Sequence, residues 1–170
     1  KQEPAKPSGP ERKTDTGRAV YGGGGITPDE NVNPRTVNIA QRRMLSPIFS
    51  FVRELVNGRV RGLESSRIPR SIYDHELTNE EYRVTDTMYR AFRDFVANDP
   101  AYNITPAMVD RYRPFVELEL RFNIVTAAYG RVIGDRVFIT TDDPQVSKAV
   151  DVLPKARNLA RGTADASIRQ

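Results

Sequence analysis

The sequence predicts a mainly α-helical domain preceded by an extended Pro/Gly-rich arm with a short β-like segment. Three observations lead there. Beyond residue 34, apolar residues recur at spacings of three and four, the mark of a helix with one buried face. Several of these stripes open on a capping residue followed by proline, which suits the first turn of a helix. Residues 1–34, by contrast, are polar and Pro-rich and carry four consecutive glycines, Gly22–Gly25. A stretch of that kind buries too little apolar surface to offset its own conformational entropy. The expected organisation is an arm at 1–34, a helical domain at 35–161 and a frayed tail at 162–170.

In the arm, Tyr21–Ile26 has the character of a strand edge, and Pro28-Asp29 makes a turn. Asn33-Pro34 closes it. A short helix is expected from Thr36 to Leu45. Ser46-Pro47 then fits an N-cap with proline at the first helical position, and Phe49, Val52, Leu55 and Val56 share a face up to Asn57-Gly58. Residues 59–71, RVRGLESSRIPRS, read as a basic loop punctuated by Gly62 and Pro69. Thr78 to Glu81 has capping-box spacing, which puts a helix start there, with Val84, Met88, Phe92, Phe95 and Val96 as its stripe. Asn98-Asp99-Pro100 stops it. Thr105-Pro106 starts the next helix, Pro114 interrupts it, and Phe115, Leu118, Phe122, Val125 and Tyr129 continue the stripe to Gly130. Glu117 and Arg121, four apart, are an expected helix pair. Residues 131–141 read equally as strand or helix. Asp143-Pro144 opens a last helix with Val146, Ala149, Val150 and Leu153 inward, and Pro154 is a candidate kink.

Charge is distributed in blocks. Residues 35–70 hold eight arginines against Glu54 and Glu64, whereas residues 71–120 hold five arginines against ten acids. Such blocks attract one another or steer a partner. The arginines interleave with Phe49, Phe51, Leu55 and Val56, which an amphipathic helix explains more simply than nucleic-acid binding. Scattered tyrosines also argue against a base-stacking platform. There is no cysteine, and His75 is the single histidine, so a thiolate or a histidine-rich metal centre is excluded within this sequence. No apolar run is long enough for a membrane span.

No catalytic, cofactor-binding or metal-binding residue is assigned. The glycine run lacks the Lys-Ser or Lys-Thr pair of a phosphate loop, since Ile26-Thr27 follows it. His75 stands between Asp74 and Glu76, but no serine elbow accompanies it, and a solvated loop histidine is the expectation. Ser65, Ser66 and Ser71 sit in the basic loop without a nucleophile motif. Glu117 and Glu119 face apart on a helix, and Asp142 and Asp143 are expected as cap residues.

The run Thr16-Gly17-Arg18-Ala19-Val20-Tyr21-Gly22-Gly23-Gly24-Gly25-Ile26-Thr27-Pro28-Asp29 resembles a segment near the end of the protease domain in the carboxyl-terminal processing, or tail-specific, serine proteases. The polar lead Glu3–Glu11 is similar to an insertion before that segment in one bacterial branch. Thr85-Asp86-x-x-Tyr89-x-x-Phe92, the helix through Leu118-Glu119 to Tyr129-Gly130, and Asp143-Pro144-Gln145-Val146-x-Lys148-Ala149 resemble the helical tail of that branch. The resemblance implies a serine nucleophile, a lysine base and a PDZ module, all of which would precede residue 1. It implies a periplasmic or otherwise extracytoplasmic location. Its implied partners are the parent's protease core and PDZ domains, the parent's protein or peptide substrates, and a second copy of the chain. None of the five lysines and none of the serines stands in the family's catalytic motifs. The expected role is therefore a non-catalytic C-terminal region of a serine endopeptidase, inactive alone, serving assembly, oligomerisation or substrate gating. The competing expectation is a standalone helical module that binds an acidic partner through the Arg-rich segment 35–70.

Overall fold

The computed structural model describes residues 9–13, 17, 19–21 and 30–167. It is mainly helical, and the chain divides into two units, residues 35–143 and residues 1–34 with 144–170.

The 35–143 unit starts with α1, Ile39–Val56. Asn38 caps it: its side chain accepts from the Gln41 N–H, and the Gln41 side chain accepts from the Asn38 N–H. This reciprocal box overrides the expected start at Thr36. The expected second helix at Ser46-Pro47 does not exist, because α1 runs through Pro47. An interior proline costs about 3 kcal/mol. Met44, Ile48, Phe51, Val52 and Leu55 are buried along one side of the same helix, at roughly 1.5–3 kcal/mol each, and their packing outweighs that cost. Asn57 ends α1, and Gly58, at φ +71°, donates to the Leu55 carbonyl, as expected.

From Asn57 to Thr85 the chain is a long loop containing one 3₁₀ turn, Glu64–Ser66. The helix expected to start at Thr78 starts eight residues later as α2, Asp86–Ala97, capped by Thr85, whose hydroxyl accepts from the Met88 N–H. Half of the predicted box is present, since Glu81 Oε2 accepts from the Thr78 N–H at 2.7 Å. Tyr82 then turns to φ +51°, which no helix continues. Asn98 ends α2, and a 3₁₀ turn at Pro100–Tyr102 follows. Helix α3, Pro106–Arg111, has the predicted Thr105 cap, and α4, Arg113–Tyr129, restarts with Pro114 in its first turn. The ambiguous stretch resolves as helix α5, Arg131–Thr141.

Helix α4 is buried on two sides. Phe115, Val116, Leu120 and Ile124 join α1, α2 and Val109 of α3 in the main core, where Phe51 meets Phe92 and Phe95 edge-on, with ring centroids 5.5 Å apart in each pair. Val125 faces Ile133 and Val137 of α5 in a second core, with Leu118, Phe122 and Tyr129 packed beside them. The predicted stripe marks chiefly this second side. Helices α4 and α5 approach closely at Gly134, where an added Cβ would stand 2.1 Å from Thr126 Oγ1. The Glu117–Arg121 pair does not form: Glu117 accepts from Arg113 at 2.7 Å, and Arg121 reaches the loop instead.

In the other unit, β1 (Glu11–Lys13) pairs antiparallel with β2 (Ala19–Tyr21), Glu11 opposite Tyr21. Tyr21 thus closes a strand, and the rest of the expected β-like segment, with Gly22–Gly25, lies outside the described residues. Helix α6, Pro144–Ser167, starts at the expected Asp143-Pro144 and continues through Pro154. The Glu30 carboxylate bridges Lys155 at 3.1 Å and Lys148 at 3.7 Å, which lie seven residues apart on one side of α6. The Lys155 bond, with both positive charges nearby, holds that carboxyl below its usual range.

Candidate functional site

The long loop is fastened to the C-terminal end of α4 by a small set of polar bonds. The Ile72 N–H donates to the Ala128 carbonyl at 2.8 Å, and Ser71 Oγ donates to the Ala127 carbonyl at 2.8 Å. Further along, the Arg121 guanidinium donates to the Thr78 carbonyl at 2.9 Å and the Glu81 carbonyl at 3.1 Å. Each bond satisfies a carbonyl that the loop or the helix end would otherwise expose. At the start of the loop, the Ile68 N–H donates to the Val56 carbonyl, so both ends of 68–72 are held against helices.

Glu81 is the hub of this fastening. Its Oε2 accepts from the Thr78 N–H, and its Oε1 accepts from the Tyr129 hydroxyl at 3.0 Å and lies 2.7 Å from His75 Nε2. The Thr78 N–H, then the Tyr129 hydroxyl and His75, hold the carboxyl down at about 2 from its ordinary 4.5. The group is therefore ionised near neutrality, and a carboxylate only accepts, so His75 Nε2 carries the proton. The Tyr129 phenol is pushed up by burial and by its bond to Glu81. The His75 ring stacks on Tyr129 with centroids 3.9 Å apart. His75 is thus half-buried and bonded, a correction to the solvated loop histidine expected. General base catalysis favours a group titrating near the working pH, and a carboxylate held at about 2 is far from that.

Beside this cluster a groove of about 690 Å³ opens between residues 67–73 and the end of α4. Ile68, Pro69, Ile72 and Ala128 line it with apolar surface, and Tyr73, Tyr82 and Tyr129 complete its wall. Arg67 and Arg70 border it and are exposed. Ile72 is 61% and Tyr73 71% exposed, two adjacent large side chains left open to water at the groove. Two glycines shape the edges. Gly58, at φ +71°, lets the Arg67 stem pack 3.3 Å from where a Cβ would sit. Gly130, at φ +85°, lets the Tyr73 ring lie 3.1 Å from the corresponding position.

No protein-family model matches the chain, and no curated protein or solved structure matches it. The site is therefore argued from its own side chains.

The other residues weighed from sequence are dispersed. Ser65 and Ser66 form the 3₁₀ turn. Glu119 is buried and bonded by Arg35 at 3.4 Å, and Asp142, expected as a helix cap, is the C-cap residue of α5, while its carboxylate takes the same guanidinium at 2.5 Å rather than a helix N–H. Arg35 stacks over Phe115 and Phe138 between them. Among the described residues, no three His, Asp or Glu side chains converge as metal ligands, and no helix is long and apolar enough to cross a membrane. Of the basic block, Arg59 pairs with Glu54 at 3.5 Å, while Arg61, Arg67 and Arg70 form no ion pair among the described residues. Ile72 and Tyr73 escaped the sequence reading. Their signal was two adjacent large side chains between the basic loop 59–71 and the acids Asp74 and Glu76.

Proposed function

We propose that this chain is a non-catalytic protein-interaction module. The observation that carries this reading is the pre-formed groove, bordered by arginines without ionic partners among the described residues, next to the cluster in which Glu81 holds His75 and Tyr129. The sequence resemblance supports a finer version. In it the chain is the non-catalytic C-terminal region of a tail-specific serine endopeptidase, working beside that enzyme's protease core and PDZ domains in an extracytoplasmic compartment. Its role there is assembly, oligomerisation or substrate gating.

The purified chain is expected to leave unfolded casein uncleaved. Peptidase turnover that stays with the chain through stringent purification would overturn the non-catalytic reading. The coding frame upstream is expected to encode a serine–lysine protease core, and a frame that encodes none removes the protease assignment. A second reading is then favoured by Arg61, Arg67 and Arg70, which form no ion pair among the described residues: a standalone module for an acidic partner, whose complex weakens when these charges are reversed.

A further inference from the structure

We propose that the groove between residues 67–73 and the end of α4 binds a short peptide segment, inserting an apolar side chain beside Ile72 while a neighbouring carboxylate meets Arg67 or Arg70. This rests on the interaction-module reading and names the chemistry of the partner.

Size and lining come first. A groove of about 690 Å³ falls within the roughly 300–1,000 Å³ of ordinary ligand pockets. Its lining is mainly apolar, and the exposure of Ile72 and Tyr73 leaves apolar surface there in water. Burying such surface drives association. Charge then selects the partner. The Arg67 and Arg70 guanidinium groups are exposed, lack ionic partners among the described residues, and match a carboxylate with two parallel donors. Of the acids nearby, Glu64 accepts from the Gly62 N–H and Glu81 holds Thr78, Tyr129 and His75, while the exposed Asp74 and Glu76 form no ion pair with either arginine among the described residues.

The tyrosines argue for a peptide over a single-stranded nucleic acid, which needs open ring faces for stacking. His75 covers one face of Tyr129, and Tyr82 stands edge-on to Tyr129 with centroids 5.8 Å apart. The Tyr73 ring lies against Gly130. Pre-organisation is the last element. The loop is tied to α4 by the Ile72, Ser71 and Arg121 bonds before any partner arrives. Tyr82 is held at φ +51°, a conformation that is strained outside glycine and persists where surrounding structure enforces it. A wall fixed in advance loses less freedom on binding.

The test is fluorescence anisotropy of the full chain with three labelled short peptides, alternating Leu with Glu, Gln or Lys, and with an oligouridine. The Leu/Glu peptide is expected to bind, the Leu/Gln peptide more weakly, and the Leu/Lys peptide and the oligouridine not at all. Replacing both arginines (R67Q with R70Q) is expected to weaken the Leu/Glu complex by about tenfold or more. Both side chains are exposed, so this variant should keep the helical circular dichroism of the parent. Ile72→Asp is expected to abolish binding, and Arg42→Gln, on α1 away from the groove, to leave it unchanged. Backbone resonances of residues 67–73 should shift on titration. Failure of the Leu/Glu peptide to bind, undiminished binding in the double arginine variant, or preference for the Leu/Lys peptide or the oligouridine would each overturn the proposal. Casein left uncleaved alongside a failed titration sinks the groove and spares the non-catalytic reading. Casein turnover alongside a successful titration does the reverse.

Discussion

Glu81 and Glu119 both tie a distant stretch of chain to α4, and their carboxyls shift in opposite directions. Glu81 is partly open to water and collects three donors, the Thr78 N–H, the Tyr129 hydroxyl and His75, which hold it at about 2. Glu119 is buried on α4 with Arg35 as its ionic partner, and loss of hydration pushes it up despite that guanidinium. The difference teaches which quantity decides. Donor number wins where water still reaches the group, and desolvation wins where it does not. The Glu81 cluster therefore contributes to stability through its charge. The Glu119 cluster is a cost of burial that Arg35 limits.

The comparison breaks most visibly at Arg35. Arg35→Met is expected to cost about 3 kcal/mol at pH 7 in urea titrations, because it strands a buried carboxylate. The loss should shrink in acid as Glu119 becomes neutral. A loss below about 1 kcal/mol would mean that water reaches Glu119 freely.

Glu81→Gln is expected to cost about 1–2 kcal/mol, since the amide keeps its shape but loses charge-assisted bonds. The pH dependence gives a sharper reading. The folded pKa of Glu81 lies below the unfolded one, so its contribution is complete above about 4.5 and is lost as pH falls toward about 2. The gap between the parent and the Gln variant should close over that window. Glu119 has the opposite sign. Its folded pKa is raised, so ionisation weakens the fold as pH rises through that value, and acid restores stability. Thermal melts of Glu119→Gln against the parent should therefore diverge from the Glu81 series with the reverse slope.

Tyr129→Phe removes one donor from Glu81 and is expected to cost about 0.5–1.5 kcal/mol by chemical denaturation. The smallest effect is expected elsewhere on α4. Thr126 Oγ1 is buried with no bonding partner among the described residues. Thr126→Val should be neutral or stabilising by up to about 1 kcal/mol in the same measurement. A marked loss would show that the hydroxyl is bonded in solution.

Local signals predicted elements well where a neighbouring residue decides the structure. Thr105-Pro106, Asn57-Gly58 and Asn98–Pro100 act on their own backbone, and they start or stop helices as read. Signals that tertiary packing overrides did not predict well. Ser46-Pro47 looks like a start, yet burial on both sides of it carries α1 straight through. Thr78–Glu81 looks like a cap and its Glu81 half forms, yet Arg121, far along the chain, takes the Thr78 and Glu81 carbonyls and Tyr82 turns to φ +51°, so no helix follows. The stripe on α4 showed one buried side, because apolar residues on two sides flatten the periodicity that marks one. The site was less legible than the fold. Arg67 and Arg70 were visible as charges, but nothing in sequence spacing brings Tyr73, Tyr82 and Tyr129 to one wall.

Gly130 joins α4 to α5 through a single residue, and the Tyr73 ring crowds the space its missing methyl would need, 3.1 Å away. Any other amino acid there would strain the corner at φ +85° and, in the same stroke, push the exposed Tyr73 ring at the groove's edge outward by a few tenths of an ångström. Corner and lip are thus coupled: one side chain added at position 130 would alter the turn between these helices and the wall of the groove together.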